Sequence, residues 1–335
     1  MKVAVLSFAH ERAATYAQLL YDRPDVDLVI ADPDGSPDDP ARGRDTARRL
    51  GSAYTGSWDE VFALRPDAVV VTSEVERRRE LVERAAEVGA HVLCEHPPAA
   101  DEADAEAMVT ACQEAGVQLS LASPTCFGQA FAALRREIAG GEVLGRLTTI
   151  HGAYNKPRPA RPHTAESGAL AAAAPYLLDM VDAVLDGQPA EQVYAQANSV
   201  LSAEPGVDSA ALVTVRYTDG TVVSIDCSWG PAESSPAAGG PTMNFIGDRA
   251  SVEFTASPRL LGGFDRGTSR ERWETREHDP YAVMLGEFIA AVRQGNGSGP
   301  DGSAGVRTLR IIQAARASVR TGRTVELAVP QTVLP

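Results

Sequence analysis

The chain has 335 residues, 44% of them apolar and 23% charged, a composition typical of a soluble globular protein with room for two domains. Its 31 lysines and arginines against 45 aspartates and glutamates give a formal net charge of −14, which argues against a nucleic-acid-binding or membrane-adhering surface. The cysteines at 94, 112, 126 and 227 form neither a C-x-x-C pair nor a zinc-type cluster, so we expect reduced thiols and no metal site.

The N-terminal third alternates short apolar runs with amphipathic stretches. The predicted strands are 2–8, 26–34, 68–73, 91–97 and 117–123, and the predicted helices are 11–23, 45–51, 75–89 and 101–116. Strands that are apolar on both faces, with helices between them, indicate a parallel sheet covered on both sides. The right-handedness of such crossovers then predicts an α/β, Rossmann-type doubly wound domain over residues 1–124.

Predicted strands in which apolar and polar residues alternate dominate the rest of the chain. The predicted strands are 146–156, 191–200, 209–229, 241–256 and 324–329, and the predicted helices are 130–145, 281–295 and 303–322. Asp219-Gly220 predicts a hairpin within 209–229, and Gly247-Asp248 a weaker turn within 241–256. We therefore expect residues 125–335 to form an α+β domain with a large, mostly antiparallel sheet. Because an open sheet face needs cover, we expect a homodimer or homotetramer.

Targeting signals are not evident in the sequence. The N-terminal apolar run Val3–Phe8 is too short for a signal peptide, and no segment approaches the roughly 20 apolar residues that span a membrane. We therefore expect a cytoplasmic protein, and the Ala-, Arg- and Asp-rich composition favours a bacterial source.

Ligands of a doubly wound sheet lie beyond the carboxyl ends of its strands. The segment 7–12, SFAHER, follows the first strand, where a dinucleotide fingerprint would have G-x-G-x-x-G, and it contains no glycine. A helix N-terminus still offers N–H groups to a phosphate. The candidate cofactor contacts in this loop are Ser7, Phe8, Ala9, His10 and Arg12.

The next strand ends supply further candidates. Asp32 ends the second strand and would accept hydrogen bonds from an adenosine ribose, although Asp-Pro-Asp is also a common turn. An acid repels a 2′-phosphate and no arginine follows directly, so NAD is favoured over NADP. Thr72 and Ser73 are small enough for a flat ring to lie close to the sheet, and Glu95 and His96 end the following strand. A solvated strand end is the alternative for that last pair.

Several segments resemble the glucose–fructose oxidoreductase/inositol dehydrogenase (Gfo/Idh/MocA) family over nearly the whole chain. The resemblance is carried by VIADPD (29–34), the stretch 65–99 that ends in HVLCEHPPA, FAALRREIAGGEVLGRL (131–147), SGALAAAAPYLLDMV (167–181) and ARASVRTGRTVEL (315–327). It implies a dinucleotide domain, a mostly antiparallel sheet domain, and oxidation or reduction of sugars and cyclitols with NAD(P).

The resemblance also implies site positions at which this chain departs from the family pattern. Glu95-His96-Pro97 stands in place of Glu-Lys-Pro, whose lysine lies beside the nicotinamide. A family D-x-G-x-H pattern corresponds to Ala172, Ala174 and Tyr176 here, and Cys126 replaces an arginine that often precedes a phenylalanine. The expected acid/base set is therefore atypical.

We expect His96 and Tyr176 to be the main acid/base groups, because an imidazole and a phenol can both transfer protons. Lys156 and His163 belong to a loop that is able to enter the same pocket, and Arg158 and Arg161 beside them suit an anionic substrate. The structural alternatives are a buried aromatic for Tyr176 and a solvated loop for the others.

Two kinds of function fit these observations. The first is an NAD-linked oxidoreductase acting on a sugar-like or otherwise hydroxylated or keto small molecule with a changed acid/base set. The second is a non-catalytic binding or regulatory relative, or a non-redox enzyme on the same fold, because fold alone does not fix function.

Overall fold

The computed structural model describes residues 1–36, 39, 41–141, 143–157, 168–230, 240–256, 261–265, 267, 270–274, 279–297 and 299–328. The chain divides into two compact units: unit 1 is residues 1–124 with 279–309, and unit 2 is residues 125–278 with 310–335. The sequence predicted two continuous segments instead, so the assignment of residues 279–309 differs. Their place in unit 1 has a packing reason, because Tyr281 contacts the ring of Tyr16 and Arg293 bonds to Asp25.

Unit 1 contains a parallel sheet whose strand order is β3-β2-β1-β4-β5-β6. The strands are β1 (Lys2–Leu6), β2 (Asp27–Ala31), β3 (Ala53–Thr55), β4 (Ala68–Val71), β5 (His91–Cys94) and β6 (Leu119–Leu121). The helices are α1 (Ala13–Tyr21), α2 (Gly43–Leu50), α3 (Trp58–Ala63), α4 (Val75–Glu87) and α5 (Glu102–Ala115). This strand order confirms the doubly wound fold, whose ligands bind where the order reverses, beside β1 and β4.

Short elements of unit 1 were missed by the sequence analysis. The strand β3 has three residues, partly exposed, and α3 has six, so neither produces an apolar run or a helical period long enough to recognise. By contrast, β1 and β4 are fully buried over Val3–Leu6 and Ala68–Val71, which is why their continuous apolar runs predicted them correctly.

Unit 2 contains a sheet of order β12-β11-β7-β10-β9-β8-β15, in which only the β7–β10 pair is parallel. Its strands are β7 (Leu147–Ala153), β8 (Ala190–Asn198), β9 (Ala210–Tyr217), β10 (Val222–Asp226), β11 (Thr242–Gly247), β12 (Ser251–Thr255) and β15 (Val325–Glu326). The mostly antiparallel sheet is therefore confirmed, as is the predicted hairpin, whose Gly220 has a φ of +90°.

One face of this sheet is buried and the other is exposed. Along β9, residues alternate between buried and exposed, and the helices α6 (Gln129–Gly140) and α7 (Ala169–Val184) contribute to the same apolar core as the strands. A separate hairpin of β13 (Leu261–Asp265) and β14 (Arg270–Glu274) was not predicted. The remaining helices are α8 (Pro280–Gln294) and α9 (Gly302–Thr321).

Within the described ranges, no helix is long and apolar enough to cross a membrane. Over the same residues, no three histidine, cysteine or acidic side chains group as metal ligands.

Candidate active site

The carboxyl ends of β1 and β4 are joined through backbone and hydroxyl contacts. The Thr72 hydroxyl donates to the carbonyl oxygen of Ser7 at 2.7 Å, and the His10 N–H donates to the carbonyl oxygen of Thr72 at 3.0 Å. The Glu95 N–H in turn donates to the Val71 carbonyl at 3.1 Å. The structure therefore brings together most of the predicted cofactor residues of unit 1, because adjacent parallel strands end at the same edge of the sheet.

The loop after β1 keeps a glycine-like shape without a glycine. Ser7 has a φ of +70°, a left-handed conformation that a glycine adopts freely and a serine adopts at a cost of about 1–2 kcal/mol. Its hydroxyl accepts the Ala9 N–H at 3.3 Å, and its carbonyl oxygen accepts the bond from Thr72, so local contacts hold the strained residue. Strain of this kind is concentrated at functional sites.

Glu95 is the centre of a buried polar cluster at the end of β5. Its carboxylate accepts a short hydrogen bond from the Tyr16 hydroxyl, accepts the His96 N–H at 3.2 Å, and lies 3.6 Å from Nδ1 of His10. The buried Arg78 guanidinium donates to the Glu95 carbonyl oxygen at 2.8 Å. This contact holds the backbone of the strand end from the α4 side.

The surroundings of His10 favour the neutral form of its imidazole. Burial lowers the pKa of His10 below its ordinary value, and the nearby Glu95 carboxylate only partly opposes this effect. The Arg12 N–H donates to Nδ1 at 3.3 Å, which leaves the proton of the neutral ring on Nε2. In its neutral form, the His10 imidazole can therefore donate a hydrogen bond from Nε2 in this loop.

His96 is mostly buried, with 9% of its surface exposed, and it precedes a cis peptide bond to Pro97. Its main-chain position is fixed by the Glu95 contact and by Arg78, which donates a short hydrogen bond to the Pro97 carbonyl oxygen. Glu95 was predicted to contact the cofactor, and its carboxylate is held by hydrogen bonds within the cluster. His96, the predicted acid/base group, places an imidazole at the same strand end.

Asp32 is enclosed at the end of β2. Arg42 donates to both carboxylate oxygens, at 2.7 and 2.9 Å, and the Asp32 side chain is 0% exposed. The sequence analysis found no arginine directly after Asp32, whereas the fold brings one to it from ten positions further on. Arg42 directly precedes α2 and its guanidinium contacts Asp32, so an arginine lies at this strand end although none follows Asp32 directly in the sequence.

In unit 2, Lys156, Tyr154 and Tyr176 form one cluster. The Lys156 ammonium lies 4.8 Å from the ring centre of Tyr176 and 5.6 Å from that of Tyr154, and the two rings meet edge to face at 5.7 Å. Cations and aromatic faces attract at these distances. The structure therefore joins two of the predicted catalytic residues, Lys156 and Tyr176, while His163 and the arginines at 158 and 161 lie outside the described residues.

Sequence reasoning missed three residues of these clusters. Tyr16 shares a helical spacing with buried apolar neighbours and therefore resembles a core residue, whereas its hydroxyl serves Glu95. Arg78 is one of three consecutive arginines in the predicted helix and had no distinguishing mark. Arg42 lies within the Pro- and Asp-rich stretch 33–43, whose composition is typical of a loop, and only its place just before a glycine and a helix distinguishes it.

Comparison with known proteins finds two adjoining family matches. Residues 36–123 match the NAD-binding Rossmann fold of an oxidoreductase family, and residues 136–327 match its C-terminal alpha/beta domain. The first match includes the ends of β4 and β5 but begins after the glycine-free loop and Asp32.

Among the curated relatives, the D-apiose dehydrogenase of Paraburkholderia graminis is 25% identical over 78% of this chain and 73% of its own length. The inositol 2-dehydrogenase of Acidothermus cellulolyticus is also 25% identical, over 86% of this chain and 84% of its own length. The solved myo-inositol dehydrogenase of Lactobacillus casei, in complex with NAD(H) and myo-inositol, is 18% identical and superposes with a TM-score of 0.81 over 99% of this chain and 98% of its own.

These matches confirm the resemblance found in the sequence. The family's two domain models cover residues 36–123 and 136–327, and the strand order of unit 1 and the sheet of unit 2 agree with that division. The chain belongs to the Gfo/Idh/MocA family of NAD-binding oxidoreductases.

Proposed function

We propose that this protein is an NAD(H)-linked oxidoreductase that acts on a sugar-like or otherwise polyhydroxylated or keto small molecule. The observation that carries the proposal is the row of polar groups at the carboxyl ends of β1, β4 and β5, in a family whose N-terminal domain binds NAD. The relatives named for D-apiose and inositol make polyhydroxylated molecules the first class to test.

The residues of the β1–α1 loop are compatible with a dinucleotide. Ser7 takes the left-handed backbone conformation of a fingerprint glycine. The side chain of Arg12, the N-cap residue of α1, makes no capping hydrogen bond to the start of that helix. A pyrophosphate at such a helix start is stabilised by backbone N–H groups and by the helix dipole. In our proposal His10 and Arg12 add side-chain donors, and Thr72 and Ser73 leave room for a flat ring. When bound, the dinucleotide supplies the hydride donor or acceptor.

Proton transfer is assigned to His96 and Tyr176. Reduction of a carbonyl needs a proton delivered to oxygen, and oxidation of an alcohol needs one removed, so a group able to exchange a proton must stand near the reacting atom. His96 replaces the family lysine at the end of β5. Lys156 packs over the Tyr176 ring, 4.8 Å from its centre, and this cation–π contact would hold the phenol in position. His163 remains a further candidate from the sequence.

A non-catalytic relative is the second candidate, and one observation favours it. All four hydrogen bonds of the Asp32 carboxylate come from the protein itself, so the acid expected to bind the ribose is already occupied. A family member that binds a ligand without turnover would tolerate such a change.

A titration followed by an activity screen separates the two candidates. Calorimetry with NAD⁺ and NADH tests cofactor binding, and we expect NAD(H) to bind more tightly than NADP(H). Absorbance of NADH is then followed with D-apiose, myo-inositol, other polyols and keto-sugars. Turnover of any of these supports the oxidoreductase. Binding without turnover across a broad panel supports the non-catalytic relative, and absence of dinucleotide binding contradicts the proposal.

We also propose that the open face of the unit 2 sheet pairs with a second copy of the chain. Leu212 on β9 is 59% exposed, and Tyr194 on β8 and Val222 on β10 are each 37% exposed. Exposed apolar side chains on a broad sheet are typical of surfaces that are covered in an assembly.

A further inference from the structure

An enclosed ion pair occupies the end of β2. Nε of Arg42 donates to Oδ2 of Asp32 at 2.9 Å, and Nη2 donates to Oδ1 at 2.7 Å, so the guanidinium grips the carboxylate with two parallel bonds. The backbone N–H of Gly43 donates to Oδ2 at 2.8 Å, and that of Phe8 to Oδ1 at 3.2 Å. Each carboxylate oxygen therefore already accepts two hydrogen bonds, which fills its ordinary capacity.

Two glycines make room for this pair. A Cβ at Gly35 would lie 2.5 Å from Oδ2 of Asp32 and 2.6 Å from Nε of Arg42, closer than any side chain allows. A Cβ at Gly43 would lie 2.8 Å from Cβ of Asp32 and 2.9 Å from the Phe8 ring. The backbone at Gly35 and Gly43 thus packs directly against the Asp32–Arg42 ion pair. The ion pair is therefore part of the loop structure and is not an incidental salt bridge on the surface.

The pair matters for cofactor choice, and this step rests on the proposed function. At the end of the second strand of a dinucleotide fold, an acid accepts hydrogen bonds from the ribose diol of NAD and repels the 2′-phosphate of NADP. The Arg42 guanidinium lies about 3 Å from the Asp32 carboxylate. At this distance the two opposite charges largely cancel in their effect on a third group, such as a ribose or a phosphate. Asp32 can therefore neither bind the diol nor repel the phosphate at full strength.

A second carboxylate limits how far this effect goes. Glu74, at the start of α4, lies 3.7 Å from Nη1 of Arg42. One guanidinium is thus shared by two carboxylates, Asp32 and Glu74, and the three groups together keep a net negative charge. This balance still favours NAD(H), but by a smaller margin than an uncovered Asp32 would give.

We propose that Arg42 is the residue that sets cofactor selectivity, by masking Asp32. With Arg42 in place, the preference for NAD(H) over NADP(H) is reduced to about tenfold or less, which corresponds to about 1.4 kcal/mol. Removing the guanidinium uncovers the carboxylate, which then binds the ribose diol and repels the 2′-phosphate.

The test is calorimetric titration of the full chain with NADH and with NADPH. For Arg42→Gln we expect the ratio of the NADPH to the NADH dissociation constants to rise at least tenfold, with NADH bound more tightly and NADPH more weakly. Arg44→Gln is the matched control, because Arg44 lies two positions further on, in the first turn of α2, and its guanidinium lies over the Tyr54 ring, 5.3 Å from the ring centre. It removes the same charge, and we expect the ratio to change less than twofold.

Other results would overturn the inference. If Arg42→Gln changes both affinities by the same factor, or lowers the ratio, then Arg42 does not mask Asp32. If that variant does not fold, Arg42→Lys replaces it: lysine keeps the charge but loses the two-bond grip, and we expect a rise of about threefold. An unchanged ratio in folded Arg42→Lys would equally count against masking. If neither the wild type nor the variants bind NADH or NADPH, the proposed function is overturned together with this inference.

Discussion

Replacing Tyr16 by phenylalanine tests whether the strand end that carries His96 is held by the buried cluster. Tyr16 is 0% exposed, and its hydroxyl donates to the Glu95 carboxylate, itself 2% exposed. The substitution keeps the ring and removes only the donor. A hydrogen bond to a charged group contributes about 1.5–3 kcal/mol, and a buried carboxylate that loses one keeps the desolvation cost. We therefore expect the free energy of unfolding to fall by that amount.

Hydrogen–deuterium exchange measures this loss at the site itself. Because about 1.4 kcal/mol corresponds to a factor of ten, exchange of the most protected amides in β1, β4 and β5 should accelerate about 10- to 150-fold. Thermal unfolding of a domain of this size should shift by about 2–4 °C for each kcal/mol. Tyr21→Phe is the matched control, since Tyr21 lies on the same helix and is 47% exposed. That variant should stay within about 0.5 kcal/mol of wild type.

The result that would refute this reasoning is specific. If Tyr16→Phe and Tyr21→Phe exchange alike, the hydroxyl of Tyr16 contributes nothing, and Glu95 is held by the His96 N–H and its other neighbours. If Tyr16→Phe exchanges faster only in α1, the hydroxyl supports its own helix and not the end of β5.

Three further predictions concern catalysis, pH and assembly. Once a substrate is found, His96→Ala and Tyr176→Phe should each lower kcat by about 10²- to 10⁴-fold with cofactor affinity nearly unchanged; wild-type turnover in both would contradict their roles. Hydrogen bonds from two arginines lower the pKa of Asp25 from 3.8 to about 2, so its stabilisation exists above about pH 4 and disappears as the pH falls through 2. Denaturation midpoints of Asp25→Asn and wild type should therefore converge towards pH 2, and a constant difference would exclude this linkage. Leu212→Glu should reduce the mass seen by light scattering to that of a monomer, whereas Val319→Glu, on α9, should not; a monomeric wild type would end the pairing proposal.

The sequence predicted the elements whose pattern is local and long enough to read. Continuous apolar runs marked the buried strands β1, β2, β4 and β5, because strands covered on both faces have no polar positions. Alternation marked the half-exposed strand β9, and Asp219-Gly220 marked its hairpin. The short β3 and α3 and the hairpin of β13 and β14 escaped, since so few residues carry no distinctive period.

By itself the sequence determined that a parallel sheet is followed by a mostly antiparallel one, the family resemblance, and the strand ends at which we propose a cofactor site. Those features follow from hydrophobic periodicity and from residue identity at positions that the chain order fixes. Only the tertiary structure decided which side chains meet at those ends: Arg42 on Asp32, Tyr16 on Glu95, and Lys156 on Tyr176. The physical reason is that a hydrogen bond or an ion pair depends on distance in space, and the partners are separated along the chain by 10, 79 and 20 positions.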